Sequence, residues 1–365
     1  MSAAQEETMS VVAHFDVHRV QYLDAGSHLV ADAPALARDR AHLSALYRAM
    51  VRTRIFDAKA VALQRTGRLG TYAACLGQEA IGVCIADRMQ TNDVLLPSYR
   101  ETAAYLGRGV RMEELLLYWG GDERGMDFAD DREDFPICVP IATQLTQATG
   151  VAAAFAYRSE ARVAVAVCGD GATSQGDFYA ALNLAGAWTL PFICVVNNNQ
   201  WAISVARKAQ SAAQTLAQKA IAAGIHGVQV DGNDPIALCS VLDVALDRAR
   251  RGGGATLIEA LSYRLCDHTT ADDAARYRPL EEVEAARQSE PVVRLRRYLH
   301  AQGWWNADDE EALKNACSTE VDGAVERYLA TPAPEPTAMF DHLYASLPAP
   351  LQAPRAALAA RGSDA

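Results

Sequence analysis

Apolar positions along the chain follow two different periods. In residues 42–64, Leu43, Leu46, Tyr47, Met50, Ile55 and Val61 recur at helical spacing, and residues 78–89 repeat the pattern behind a Gly-Gln-Glu start, so both segments predict helices. From Arg162 the period changes. VAVAVC at 163–168 is a short, uncharged, β-rich run of the kind found in a parallel strand covered on both faces. Residues 177–188 predict the helix that follows, Pro191 breaks it, and FICVV at 192–196 predicts a second buried strand. The alternation continues with a helix at 212–223, a strand at 227–230, a helix at 235–250, a glycine stop at 252–254 and a strand at 256–263. Residues 291–302 and 308–329 read as further helices, and PAPEP at 332–336 interrupts the pattern before a short tail. This order predicts an α/β fold with a doubly wound parallel sheet. Residues 1–38 have weak periodicity and are expected to form an arm lying on something else, such as another subunit. Residues 39–330 form the α/β body, and 331–365 a Pro-rich tail.

Composition narrows the partners. Half of the 365 residues are apolar, enough for a sizeable core, and 34 Lys plus Arg against 45 Asp plus Glu give a net charge of −11. That charge repels nucleic-acid phosphates and anionic membrane surfaces. The start, MSAAQEETMS, lacks a basic region followed by an apolar block, and no stretch approaches the roughly 20 apolar residues of a membrane span. A soluble, cytoplasmic protein is expected. The eight cysteines are scattered without a CxxC pair, which suits reduced core thiols.

In open parallel sheets, ligands bind where loops leave the carboxyl ends of strands. GDGATSQGD at 169–177 follows the first buried strand and NNNQW at 197–201 follows the second. Were the strands neighbours, the Asp170 carboxylate and the Asn199 amide oxygen would converge as hard ligands suited to Mg²⁺, which commonly keeps phosphate oxygens as further ligands. Gly169 and Gly171 would let backbone amides approach a diphosphate closely. Taken singly, Gly-Asp-Gly reads as a turn and the asparagines as a polar loop. Taken together, they match the thiamin diphosphate signature of GDG followed by NN.

The stretch at 169–204, GDGATSQGDFYAALNLAGAWTLPFICVVNNNQWAIS, resembles the alpha subunits of bacterial pyruvate and branched-chain 2-oxo acid dehydrogenases. Further matches are GQEA at 77–80, YRE at 99–101, TLAQKAIAAGI at 215–225, VDGNDP at 230–235 and HTTADDAARYRP at 268–279, so the resemblance covers about residues 40–305. It implies the thiamin diphosphate-binding α/β fold and that cofactor, whose ring would carry the decarboxylation chemistry. It further implies Mg²⁺ held by Asp170, Asn199 and the backbone carbonyl of Trp201. Cofactor contacts would come from Tyr99, Arg100, Val139, Ile141, Gly169, Gly171, Ala172, Arg264 and His268, with Ile141 near the pyrimidine and the arginines on the diphosphate. His268 would be the catalytic residue, orienting a lipoyl group and aiding proton transfer, a task that suits a pKa near neutrality.

The resemblance also implies a separate beta subunit supplying a glutamate to the cofactor, an α2β2 heterotetramer, and a lipoyl-bearing acyltransferase core. Pyruvate is the favoured substrate; a branched-chain 2-oxo acid or acetoin is the alternative. This sequence departs from the family pattern in places. Asn197 stands where branched-chain relatives often carry Arg, Thr146 where many have Pro, and residues 125–128 replace a longer Gly-rich segment. Cys266 and Asp267 precede His268 in place of Gly-Pro or Gly-His, and a carboxylate beside the imidazole is expected to raise its pKa. Two other classes compete. A Rossmann oxidoreductase is opposed by the lack of GxGxxG after any strand and by the carboxylate at 170. A silent scaffold would keep the fold and bind no thiamin diphosphate.

Overall fold

The structure is a computed structural model describing residues 10–30, 32–130, 132–341 and 343–362. The first nine residues, on which the reading of a leaderless start rests, and parts of the expected arm and tail lie outside the described residues. The strands are β1 (His18–Val20), β2 (Val94–Leu96), β3 (Ala164–Gly169), β4 (Phe192–Asn198), β5 (Trp201–Ala202), β6 (Val205–Ala206), β7 (His226–Asp231) and β8 (Thr256–Leu261). Six of them form one all-parallel sheet in the order β1-β7-β8-β4-β3-β2, while β5 and β6 make a small antiparallel hairpin.

Each central strand alternates between two apolar layers, which is what a strand buried on both sides requires. Val165 and Val167 of β3 and Ile193 and Val195 of β4 pack in one layer with helices Arg40–Arg65, Glu79–Arg88, Pro235–Arg250 and Pro291–Ala301. Ala164, Ala166, Cys168, Phe192, Cys194 and Val196 pack in the other with helices Thr143–Arg158 and Gly176–Ala187. A third cluster joins Phe56, Tyr72 and Tyr105 to Val321 and Ala324 of the Ala307–Ala330 helix. All eight cysteines are free thiols. No helix among the described residues is long and apolar enough to cross a membrane.

Local chemistry fixes the helix ends. Asp39 caps the Arg40–Arg65 helix by accepting from the His42 amide at 3.0 Å. Pro235 occupies the first turn of its helix behind Asp234, which accepts from the Ile236 and Ala237 amides at 3.0 and 3.1 Å. That helix ends at Arg250, and Gly252 and Gly254 adopt the left-handed backbone of the predicted stop.

Three expectations need correction. The arm does not lie wholly on another molecule: His18–Val20 is the edge strand of this chain's own sheet, and the Tyr22 and Leu23 amides both donate to Asp234 Oδ2 at 2.6 Å. The helix expected at 212–223 shrinks to Lys219–Ala223. Thr215 and Gln218 exchange side-chain-to-amide hydrogen bonds as a capping box, so the turn opens only after Thr215, and the Ala217 amide in that first turn donates to the buried Glu259 carboxylate. The last strand ends at Leu261, two residues before Tyr263. The tail also carries a helix, Ala349–Gly362, that the sequence reading did not place.

Candidate active site

Sheet register brings the chemistry together. Gly169 pairs with Asn197, and Asn198 with Leu261, so the loops that leave β3, β4 and β8 emerge side by side at one edge. They border a cleft of about 550 Å³, a size suited to a cofactor. Tyr99, Arg100, Val139, Ile141, Gly169, Asp170, Gly171, Ala172, Asn199, Trp201 and His268 all line it.

Asp170 opens a short 3-10 turn, Asp170–Ser174, directly after β3. Its carboxylate is buried, its Oδ2 has no hydrogen-bond partner, and burial raises its pKa to about 6. An unpartnered buried carboxylate oxygen calls for a cation or a proton. Across the loop gap, the Trp201 amide donates to Asn199 Oδ1 at 3.2 Å and Asn199 Nδ2 donates to Gln78 Oε1 at 2.9 Å. A Cβ added at Gly171 would lie 2.8 Å from Ala202 Cβ, so the turn and the hairpin touch only because residue 171 is glycine. Among the described residues no three His, Cys, Asp or Glu side chains form a metal-binding group. A cation here would therefore rest on one carboxylate, an amide oxygen, backbone carbonyls and ligand oxygens, which is magnesium-like chemistry.

The three consecutive asparagines have separate anchors. Ser262 Oγ donates to Asn197 Oδ1 at 2.7 Å, and Asn198 Nδ2 donates to Glu259 Oε1 at 2.7 Å. Glu259 also accepts from Gln229 Nε2 and the Ala217 amide, both at 3.0 Å, so its buried charge is fully solvated by protein donors. Gln200 and Ile203, on either side of β5, and Ala142, beside Ile141, all hold positive φ. Three of the seven described residues with a Cβ that hold positive φ thus lie at or beside the cleft, the other four being Ser27, Asp32, Ser159 and Thr189.

His268 departs from expectation. Arg100 Nη2 and Arg264 Nη1 approach its Nδ1 at 3.2 and 3.3 Å. A guanidinium can only donate, so Nδ1 accepts and the ring proton sits on Nε2. Burial first, then the charges of Arg100 and Arg264, lower the His268 pKa to about 4, with Asp272 opposing. The imidazole is thus a neutral donor, not a group poised near neutrality. Asp267 does not raise it, because its carboxylate turns away to accept from the Ala274 amide at 3.0 Å.

Arg264 also differs from expectation. It is fully buried and is not among the residues lining the cleft. Its guanidinium donates to the Trp201 and Ile203 carbonyls at 3.3 and 2.8 Å and to Tyr277 Oη at 2.7 Å, so it braces the wall from behind. Arg100 remains at the cleft, with Nη1 on the Ala74 carbonyl at 2.6 Å and Nη2 on the His268 carbonyl at 2.8 Å.

Sequence reasoning did not assign Gln78 or Glu101 to the cleft, and Asn197, noted there only as a departure from the Arg of branched-chain relatives, also lines it. Glu101 is buried against Ser98, whose hydroxyl donates to it at 3.0 Å, and burial lifts its pKa to about 7. Its place in the YRE motif was the available signal. Gln78, in GQEA, carried a comparable one.

Residues 47–337 match the family model described as the dehydrogenase E1 component. The chain belongs to that E1 family. It is 38% identical over 331 residues to the pyruvate dehydrogenase E1 component subunit alpha of Bacillus subtilis (strain 168), covering 90% of this chain and 89% of that protein. It is 42% identical over 315 residues to the 3-methyl-2-oxobutanoate dehydrogenase subunit alpha of Mycobacterium tuberculosis (strain CDC 1551 / Oshkosh), covering 86% of each. The chain is thus of the alpha-subunit type of the 2-oxo acid dehydrogenase E1 components, which are oxidoreductases. Within this E1 chain, the GDG turn, the asparagine loop and the His268 loop all fall inside the matched span.

Proposed function

We propose that this E1 alpha chain binds thiamin diphosphate and Mg²⁺ in the cleft and, with a beta chain, decarboxylates pyruvate oxidatively and passes the acyl group to a lipoyl domain. The observation that carries the reading is the unpartnered, buried Asp170 Oδ2, which shares the cleft with Asn199 at the ends of two adjacent parallel strands. The donor set fits the metal and the glycine turn fits a diphosphate. Asp170, Asn199 and the Trp201 carbonyl would hold the cation, while the Gly169–Ala172 backbone, Tyr99 and Arg100 would meet the diphosphate. Val139 and Ile141, 54% and 45% exposed, offer apolar support to the cofactor's ring and an open face that a beta chain would cover. When bound, the cofactor supplies the nucleophilic carbon and the electron sink for loss of carbon dioxide.

The protein's own residues orient the reactants and donate hydrogen bonds. Arg100 and Arg264 fix the His268 tautomer, so Nε2–H is available to donate a hydrogen bond to a substrate oxygen or to a lipoyl sulfur. Arg264 acts through the carbonyls of Trp201 and Ile203, keeping the loop in shape. The exposed Val11, Val12 and Phe15 support contact of the N-terminal arm with a partner chain. An α2β2 assembly docked on an acyltransferase core, working in the cytoplasm, completes the proposal.

A branched-chain substrate is the second reading, favoured by the 42% identity to the mycobacterial relative. The test is to co-express the chain with its beta partner and measure carbon dioxide release from pyruvate and 3-methyl-2-oxobutanoate in parallel. Faster turnover of pyruvate supports the first reading, and faster turnover of the branched acid supports the second. Release from neither, in an assembly that is folded and supplied with thiamin diphosphate and Mg²⁺, would overturn both.

A further inference from the structure

Gln78 sits at the cleft wall with only 2% of its surface exposed. Its backbone is rigidly placed. Gly77 takes φ +87° with its Cα against the Tyr263 carbonyl, where a Cβ would come within 2.6 Å, and the Gln78 amide donates to the Cys75 carbonyl at 2.8 Å. The Glu79–Arg88 helix starts immediately afterwards, and the Ile81 amide donates to the Gln78 carbonyl at 3.2 Å. The side chain is therefore delivered to a fixed spot beside the asparagine loop.

Two amide orientations are set by donors that cannot be reversed. The Trp201 amide can only donate, so the atom of Asn199 that receives it is Oδ1. Asn199 Nδ2 then faces Gln78, which must present Oε1. That leaves Gln78 Nε2, a buried amide nitrogen with no acceptor. A stranded buried donor costs about 1–3 kcal/mol, and a folded protein retains one where something else completes it.

Building on the proposed cofactor reading, we infer that Gln78 is a binding and positioning residue whose Nε2 donates to an anionic oxygen of the metal-bound diphosphate while its Oε1 holds the Asn199 amide oxygen toward the cation. The chemistry selects this acceptor. The neighbour on the other end of the side chain is the candidate metal ligand Asn199, so the ligand atoms nearest Gln78 are those gathered by the cation. A metal-bound water is principally a donor there, whereas a phosphate oxygen is an acceptor.

Two near-isosteric variants of the co-expressed alpha–beta assembly test this. Gln78→Glu keeps an oxygen for Asn199 but sets a carboxylate against the diphosphate, and Gln78→Met removes both polar ends. Binding is read by calorimetry with thiamin diphosphate plus Mg²⁺, and by competition with inorganic diphosphate plus Mg²⁺, alongside thermal unfolding. A hydrogen bond to a charged group is worth about 1.5–3 kcal/mol, so affinity for both ligands should fall roughly tenfold to hundredfold in Gln78→Met and at least as far in Gln78→Glu. At saturating cofactor, the fall in kcat should be smaller than the fall in affinity, because the residue acts first on binding. Wild-type affinity in Gln78→Glu would overturn the inference even if Gln78→Met failed to fold, as would a loss confined to kcat. If the wild-type assembly itself bound no thiamin diphosphate, the cofactor reading would fall and this inference with it. Binding by wild type with no loss in either variant would sink the Gln78 role alone.

Discussion

Removing one cation from beside His268 should change its titration in a direction the geometry dictates. The imidazole has Arg100 and Arg264 at 3.2 and 3.3 Å from Nδ1, and only Asp272, whose Oδ2 accepts from the His268 amide, on the opposing side. Burial and these charges hold the folded-state pKa at about 4, below the ordinary 6.5. A depressed value means that the unfolded chain takes up the proton first as pH falls. The stability associated with this histidine is therefore intact above pH 6.5 and is lost progressively between 6.5 and about 4. At about 1.4 kcal/mol per pKa unit the full shift would be worth roughly 3 kcal/mol, and partial exposure to water reduces that to about 1–2 kcal/mol. Arg100→Met removes one guanidinium, and a unit charge some 5 Å from the ring in a partly solvated site should raise the pKa by about one unit. The assay is a ring-proton and ring-nitrogen NMR titration of the cofactor-free protein, with His268→Gln identifying the resonance among the eight histidines. The expected result is a neutral ring protonated on Nε2 down to about pH 5, shifting upward in Arg100→Met. A wild-type midpoint at or above 6.5, or a proton on Nδ1, would refute the reasoning.

Asp234 caps one helix with Oδ1 and receives two amides of the N-terminal segment on Oδ2, so Asp234→Ala should cost about 3–4 kcal/mol in denaturant unfolding and loosen residues 18–23 in hydrogen exchange. Glu259→Gln replaces one acceptor oxygen with a donor facing donors; chemical unfolding should show a loss of about 2 kcal/mol, and an unchanged midpoint would mean Asn198 is anchored otherwise. Ile203 carries a β-branched side chain at φ 54° with more than half its surface exposed, so Ile203→Gly should stabilise the isolated chain by about 1 kcal/mol in the same experiment.

Much of the architecture could be read from periodicity, because the signals were strong and local. The uncharged runs ending in Cys168 and Val196 can be satisfied only between two apolar layers, and Asp234-Pro235 and Gly252 punctuate a helix by their own backbone chemistry. The two loops at strand ends then followed from sheet geometry. Most of what stayed hidden depends on partners distant in sequence. His18–Val20 becomes a strand only because β7 and Asp234, more than 200 residues later, receive it. The segment 212–223 opens its turn only behind Thr215, whose exchange of hydrogen bonds with Gln218 is a local cap that periodicity alone overlooks. The Glu259 carboxylate that receives the Ala217 amide, by contrast, is distant in sequence. Likewise His268 has an acid beside it in sequence and two guanidinium groups beside it in space, so reasoning from neighbours along the chain gave its pKa shift the wrong sign.

The measurement that bears most directly on the account is calorimetric titration of thiamin diphosphate into the purified alpha–beta assembly, with and without Mg²⁺, for wild type, Asp170→Ala and Asn199→Ala. The account predicts Mg²⁺-dependent binding by wild type and a loss of at least about a hundredfold, roughly 2.7 kcal/mol, in Asp170→Ala, with a smaller loss in Asn199→Ala and folding intact. Undiminished binding by folded Asp170→Ala, or binding indifferent to Mg²⁺, would contradict it.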